Sequence, residues 1–162
     1  MRMLKTSMTI IGIFLLVQFF DISVQAAPQE KIDPSARCPV CGMFVAKYPN
    51  WITQIRHADG SVKVFDGVKD LMAYYFDSKK YGGEGQETIH EIWVRDYYTL
   101  QWLDGRKAFY VTDSDVYGPM GREFIPFDTQ KAAESFLKDH HGKKVVTFEE
   151  ITPELVNSMH SM

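Results

Sequence analysis

An α+β fold of two related strand-strand-helix-strand units, forming one compact domain, is the architecture this sequence predicts. A repeated pattern carries the prediction. β-type runs surround an Asp-Gly turn twice, at Asp59-Gly60 and Asp104-Gly105, and a Phe-Asp pair opens an apolar-periodic run twice, at Phe65-Asp66 and Phe127-Asp128. Size agrees: with a leader of 26 residues set aside, 136 of the 162 remain, within the range of about 100 to 200 residues usual for a domain and enough to bury a core.

The leader is read from Arg2 and Lys5, an apolar stretch from Met8 to Phe20, and small residues at Val24 and Ala26 around a cleavage site after Ala26. Its apolar stretch falls short of the roughly 20 residues a membrane span needs, so an exported periplasmic protein is expected. No cysteine follows that stretch closely, and no lipid-attachment box is expected. Residues 27–37 are a polar lead-in to a domain over 38–152, whose two units cover about 38–96 and 97–149, with a Met/His tail at 153–162.

In the first unit, Trp51 to His57 and Ser61 to Asp66 form a hairpin around Asp59-Gly60. A helix follows, with Val68, Leu71, Met72, Tyr75 and Phe76 on one face and Asp66 placed to cap it. Gly82, Gly83 and Gly85 end it, and His90 to Asp96 supply the next strand. In the second unit, Tyr98 to Leu103 and Lys107 to Thr112 repeat the hairpin around Asp104-Gly105. Asp128 then caps a helix with Ala132, Ala133, Phe136, Leu137 and His140 on its buried face, and Lys143 to Phe148 form the last strand. The Phe-Asp pairs lie 62 residues apart and the turns 45, which places 17 extra residues in the second unit, among them Tyr117-Gly118-Pro119-Met120-Gly121.

The chemistry of the chain concentrates in Cys38-Pro39-Val40-Cys41-Gly42-Met43, which holds both cysteines and a thioether within six residues. Thiolate and thioether donors favour a soft ion such as Cu(I) over harder divalent ions. A disulfide closing so short a loop would stabilise the fold little, so chemistry is the better reason for the pair. A thioredoxin-like site does not fit, because only Ala27 to Arg37 precede Cys38 and leave no room for the strand that scaffold requires. A structural zinc site lacks a second spaced pair, since His140 and His141 are adjacent. A cysteine hydrolase would need a base, and nothing around His57 or His90 supports one.

Further donors are weighed the same way. Met120, between Pro119 and Gly121 in the inserted loop, is poorly placed for a core and presents an exposed thioether. His57 at a strand end reads first as a core or edge residue and second as a ligand. Asp66 reads as a cap before it reads as a donor. His90, Trp93, Tyr97 and Trp102 alternate along strands as sheet packing requires. Met159, His160 and Met162 put two thioethers around an imidazole, a flexible Cu(I) catcher in form. With 45% hydrophobic residues and a net charge of −3, the chain has no basic footprint for nucleic acid.

CPVCGM near the mature start, Thr53-Gln54-Ile55, Phe65-Asp66, and Gly118-Pro119-Met120-Gly121 followed by Phe127 and an alanine-bearing helix together resemble the NosL family, copper chaperones that assist nitrous oxide reductase maturation. The resemblance runs over nearly all of the mature chain. It implies a fold similar to that of the organomercurial lyase MerB, Cu(I) as cargo, no catalysis, and nitrous oxide reductase or its membrane transporter as partner. The family's CGM falls on Cys41, Gly42 and Met43 and its PMG on Pro119, Met120 and Gly121, so the implied ligands are Cys41, Met43 and Met120. Cys38 is then an additional ligand or a redox partner of Cys41. The competing class is a thiol-disulfide or copper-resistance protein in which Cys38 and Cys41 cycle between thiol and disulfide.

Overall fold

The computed structural model describes residues 27–160, so the leader and Met162 lie outside the described residues. Two antiparallel sheets organise the chain. The first runs in the order β2 (Val62–Phe65), β1 (Thr53–His57), β3 (Ile89–Arg95), β4 (Trp102–Asp104), and the second in the order β8 (Ile125–Phe127), β5 (Phe109–Thr112), β9 (Lys144–Thr147). A short ribbon of β6 (Tyr117–Gly118) and β7 (Gly121–Arg122) leaves the second sheet between β5 and β8. The helices are α1 (Val68–Phe76), α2 (Gln130–Asp139) and α3 (Pro153–His160).

The duplication is visible in the pairing. A central strand, β1 or β5, is flanked by the strand before a helix and the strand after it: β2, α1 and β3 in one unit, β8, α2 and β9 in the other. Thr53 pairs with Phe65 and Phe109 with Phe127, so the two phenylalanines of the Phe-Asp pairs occupy equivalent places.

The second hairpin differs from expectation. Tyr98 to Leu103 is not the partner of Lys107 to Thr112: β4 pairs with β3, with Trp93 opposite Asp104 and Arg95 opposite Trp102, and extends the first sheet. Asp104-Gly105 therefore carries the chain from one sheet to the other. Gly105 suits that crossing, since its amide donates to Ile92 O at 2.8 Å and a Cβ there would lie 2.6 Å from Ile92 Cγ2. Counted between paired residues, twelve positions separate Thr53 from Phe65 and eighteen separate Phe109 from Phe127, so the insertion is six residues rather than 17.

β5 divides the interior. Because successive side chains of a strand face opposite ways, Tyr110 enters the larger cluster with Phe65, Leu71, Tyr74 and Phe124, while Val111 enters the smaller one with Ile125, Phe127, Ala133 and Phe136. The terminal segment is also core. Residues 153–160 form α3, which packs on α1 and buries Val156 and Met159, the latter only 3% exposed. Pro153 starts it where a missing amide costs nothing, and Thr152 Oγ1 accepts from Leu155 N. Met159 and His160, expected in a flexible catcher, thus lie in a packed helix, because Leu155, Val156 and Met159 give it an apolar face.

Candidate metal centre

The segment Arg37 to Phe44 closes on itself before β1. Gly42 N donates to Cys38 O and Cys38 N to Met43 O, both at 2.9 Å, and Arg37 pairs with Phe44 across the loop. Gly42 holds φ +78°, which favours glycine, and its carbonyl accepts from the Arg37 guanidinium at 2.8 Å. That guanidinium stacks over the Phe44 ring at 3.8 Å. The knuckle so formed carries both sulfurs on one short loop, Cys38 buried and Cys41 half-buried.

The first turn of α1 lies against this knuckle. Cys38 Sγ donates to Asp70 Oδ2 at 3.3 Å and Cys41 Sγ to Asp66 Oδ1 at 3.2 Å. One donor atom from each of Cys38, Cys41, Asp66 and Asp70 lies within 4.8 Å of all the others. Asp66 is 2% exposed and Asp70 3%, and Asp66 Oδ2 and Asp70 Oδ1 are buried without a hydrogen-bond partner. Both cysteines are free thiols. Burial raises the Cys41 pKa to about 12, helped by the nearby Asp70 and Asp66 carboxylates, and burial raises Cys38 further still.

Asp66 therefore does not cap α1. Gly67 is the N-cap and offers no side chain, and Asp66, one residue earlier, turns to the sulfurs. The second helix shows the same displacement: Thr129 is its N-cap, accepting from Ala132 N at 3.2 Å, while the Asp128 amide donates to Asp96 Oδ2.

The β6-β7 ribbon is fastened to the same turn. Lys69, buried between the two aspartates in sequence, donates from Nζ to Met120 O at 2.7 Å. Glu123, just after β7, accepts from Lys69 N at 2.5 Å and from Phe124 N at 2.9 Å, and its burial raises its pKa to about 8. The Met120 backbone is thereby tied to Lys69 of α1 while the residue stays 46% exposed. Met43, half-buried, follows Cys41 in the knuckle.

The remaining candidates stand apart. His57 is buried with Nδ1 on Thr88 Oγ1 at 2.8 Å and Nε2 on Tyr74 OH at 3.1 Å, so both ring nitrogens already have protein partners. Met159 is in the core, and His160 ends α3 with its pKa lowered by desolvation and by the Lys69 charge. His160 is not among the residues of the four-donor group. Sequence reasoning missed Asp70 altogether. The signal was its spacing of four from Asp66, which sets two carboxylates on one side of a helix start.

Knuckle and helix turn together define an antiparallel α+β protein with a buried sulfur-carboxylate donor cluster. The chain belongs to the NosL family, whose profile matches residues 28–156. A relative from Stutzerimonas stutzeri, the copper-binding lipoprotein NosL, is 24% identical over 167 residues, covering 95% of this chain and 84% of its own. The crystal structure of the copper chaperone NosL from Shewanella denitrificans shares the fold at a TM-score of 0.66 and 24% identity, over 78% of this chain and 99% of that one. The solution structure of apo-NosL from Achromobacter cycloclastes aligns at a TM-score of 0.49 and 27% identity, over 64% of this chain and 87% of that one.

Proposed function

We propose that the protein is an exported copper carrier that binds Cu(I) on its sulfur donors and yields it by ligand exchange to a copper enzyme, nitrous oxide reductase, or to that enzyme's membrane transporter. The observation that carries this reading is the thiol pair held by the knuckle, Cys38 buried and Cys41 half-buried, and the copper-binding relatives support it. Cys41 is the principal ligand, Met43 and Met120 complete the soft set, and Cys38 closes it. A thiolate binds Cu(I) firmly, whereas an exposed thioether exchanges readily. Met120 is the ligand an incoming donor displaces, because it sits on a surface ribbon held to the fold through its backbone.

The raised thiol pKa values speak against the disulfide-cycling alternative, since the thiolate is the attacking species in exchange and these thiols stay protonated near neutrality. An anaerobic Cu(I) titration against a competing chelator tests the carrier. One-to-one binding is expected, weakened about tenfold or more by Met120→Ala and abolished by Cys41→Ser; affinities untouched by either substitution would refute the assignment. Mass spectrometry of protein recovered from the periplasm tests export, with cleavage after Ala26 as the expected result.

A further inference from the structure

The two aspartates are poorly explained by Cu(I). Carboxylate oxygen is a hard donor that contributes little to a cuprous site, yet Asp66 and Asp70 are almost fully buried, aimed at the sulfurs, and each leaves one oxygen without a hydrogen-bond partner. Zn2+ accepts both thiolate and carboxylate and prefers four ligands in a tetrahedron.

We propose that Cys38, Cys41, Asp66 and Asp70 form a second coordination mode of this centre, a closed four-ligand site for Zn2+ that does not use Met120. The proposal rests on reading the knuckle cysteines as metal ligands. The second pair that the adjacent His140 and His141 could not supply is the aspartate pair, Asp66 just before the N-cap of α1 and Asp70 in its first turn. Tetrahedral Zn2+ with thiolate and carboxylate ligands needs donor separations of about 3.3 to 3.8 Å. The donor atoms here already lie within 4.8 Å of one another, so a small contraction closes the set. The knuckle needs no rebuilding, because its own hydrogen bonds, Gly42 N to Cys38 O and Cys38 N to Met43 O, already set both cysteines beside the aspartates.

Charge favours a dication. Zn2+ would displace the two thiol protons, which leave to solvent, and would face two thiolates and two carboxylates. A dication leaves a residual charge of −2 on that group, against −3 with Cu(I). Lys69 lies beside the cluster in sequence but gives its ammonium hydrogen bond to Met120 O. The two modes share the cysteines and differ in the rest: sulfur from Met43 and Met120 for Cu(I), oxygen from Asp66 and Asp70 for Zn2+.

The test is a Zn2+ titration of the reduced full-length mature chain against a competing chelator, run beside the Cu(I) titration on the parent, Asp66→Asn/Asp70→Asn and Met120→Ala. One-to-one Zn2+ binding is expected, with the double Asn variant losing at least 100-fold more affinity for Zn2+ than for Cu(I), and Met120→Ala showing the opposite bias. Co2+ loaded into the parent, which needs no variant to fold, should show the intense visible bands of a tetrahedral site together with thiolate charge transfer. Absence of Zn2+ binding, equal losses for both ions in the Asn variant, or a weak octahedral Co2+ spectrum would each overturn the proposal. Cu(I) binding without Zn2+ binding would remove this mode alone, whereas Zn2+ binding without Cu(I) binding would remove the carrier.

Discussion

At Cys41, burial and function act on the same proton. The thiol is pushed up to about 12 by desolvation and by the nearby Asp70 and Asp66 carboxylates, so the metal-free protein keeps both sulfurs protonated through the physiological range. Metal capture must then expel those protons. The sign follows: the bound form carries thiolate and the free form thiol, so rising pH favours binding. Apparent Cu(I) affinity should climb about tenfold per pH unit for each proton displaced between roughly pH 6 and 9, measured by chelator competition across that range. A flat profile would mean that thiolates already exist before the metal arrives. The role of Asp66 was half legible at this scale. Its place before an apolar run suggested a cap, and the phase of one residue that sends it to sulfur instead depends on where α1 begins.

At the scale of elements, α1 and its neighbours position the centre. Gly67 is required by a close approach rather than by its backbone angles: a Cβ would fall 2.0 Å from Glu123 Oε2, and that carboxyl is held by two amides and cannot swing away. Gly67→Ala should cost about 1 to 3 kcal/mol in urea unfolding, with the loss shrinking in a Glu123→Ala background. Additive losses would show that the clash lies elsewhere. On the other side of α1, Met159→Ala in α3 should cost about 2 to 5 kcal/mol, the range for a large core side chain cut to alanine. A change below half a kcal/mol would mean that the terminal helix is detached in solution. The apolar spacing of α3 could have been read in the sequence. The helix is only 8 residues long, so its period repeats barely twice, and Met159 and His160 within it are donor types as well as helix residues.

Across the whole molecule, long-range pairing decides what local pattern cannot. The helices, the Phe-Asp repeat and the knuckle sulfurs were legible because each is written in neighbouring residues. The partner of β4 was not, since three residues after a turn carry no mark of which sheet will receive them. The Asp66-Asp70 contribution was equally hidden, as it arises only when the knuckle packs on a helix about thirty residues away. Glu123 gives the assembled fold a pH signature. Its pKa of about 8 exceeds that of an exposed glutamate, so between about pH 5 and 8 the folded state holds a proton that the unfolded chain releases. Stability should therefore fall as pH rises through that window, with a slope of at most about 1.4 kcal/mol per pH unit, and level off above it. Glu123→Gln should flatten the dependence in melts recorded from pH 5 to 9; an unchanged slope would assign it to another group.

The placement of β4 also bears on the history of the duplication. Each half keeps the same plan of central strand, two flanking strands and one helix, yet a strand from beyond the midpoint now seals the edge of the first sheet. An ancestor made of one half would have exposed β3 as an open edge, an invitation to pair with another copy. In this chain β4 covers that edge from within, and the two halves cannot be separated without opening it.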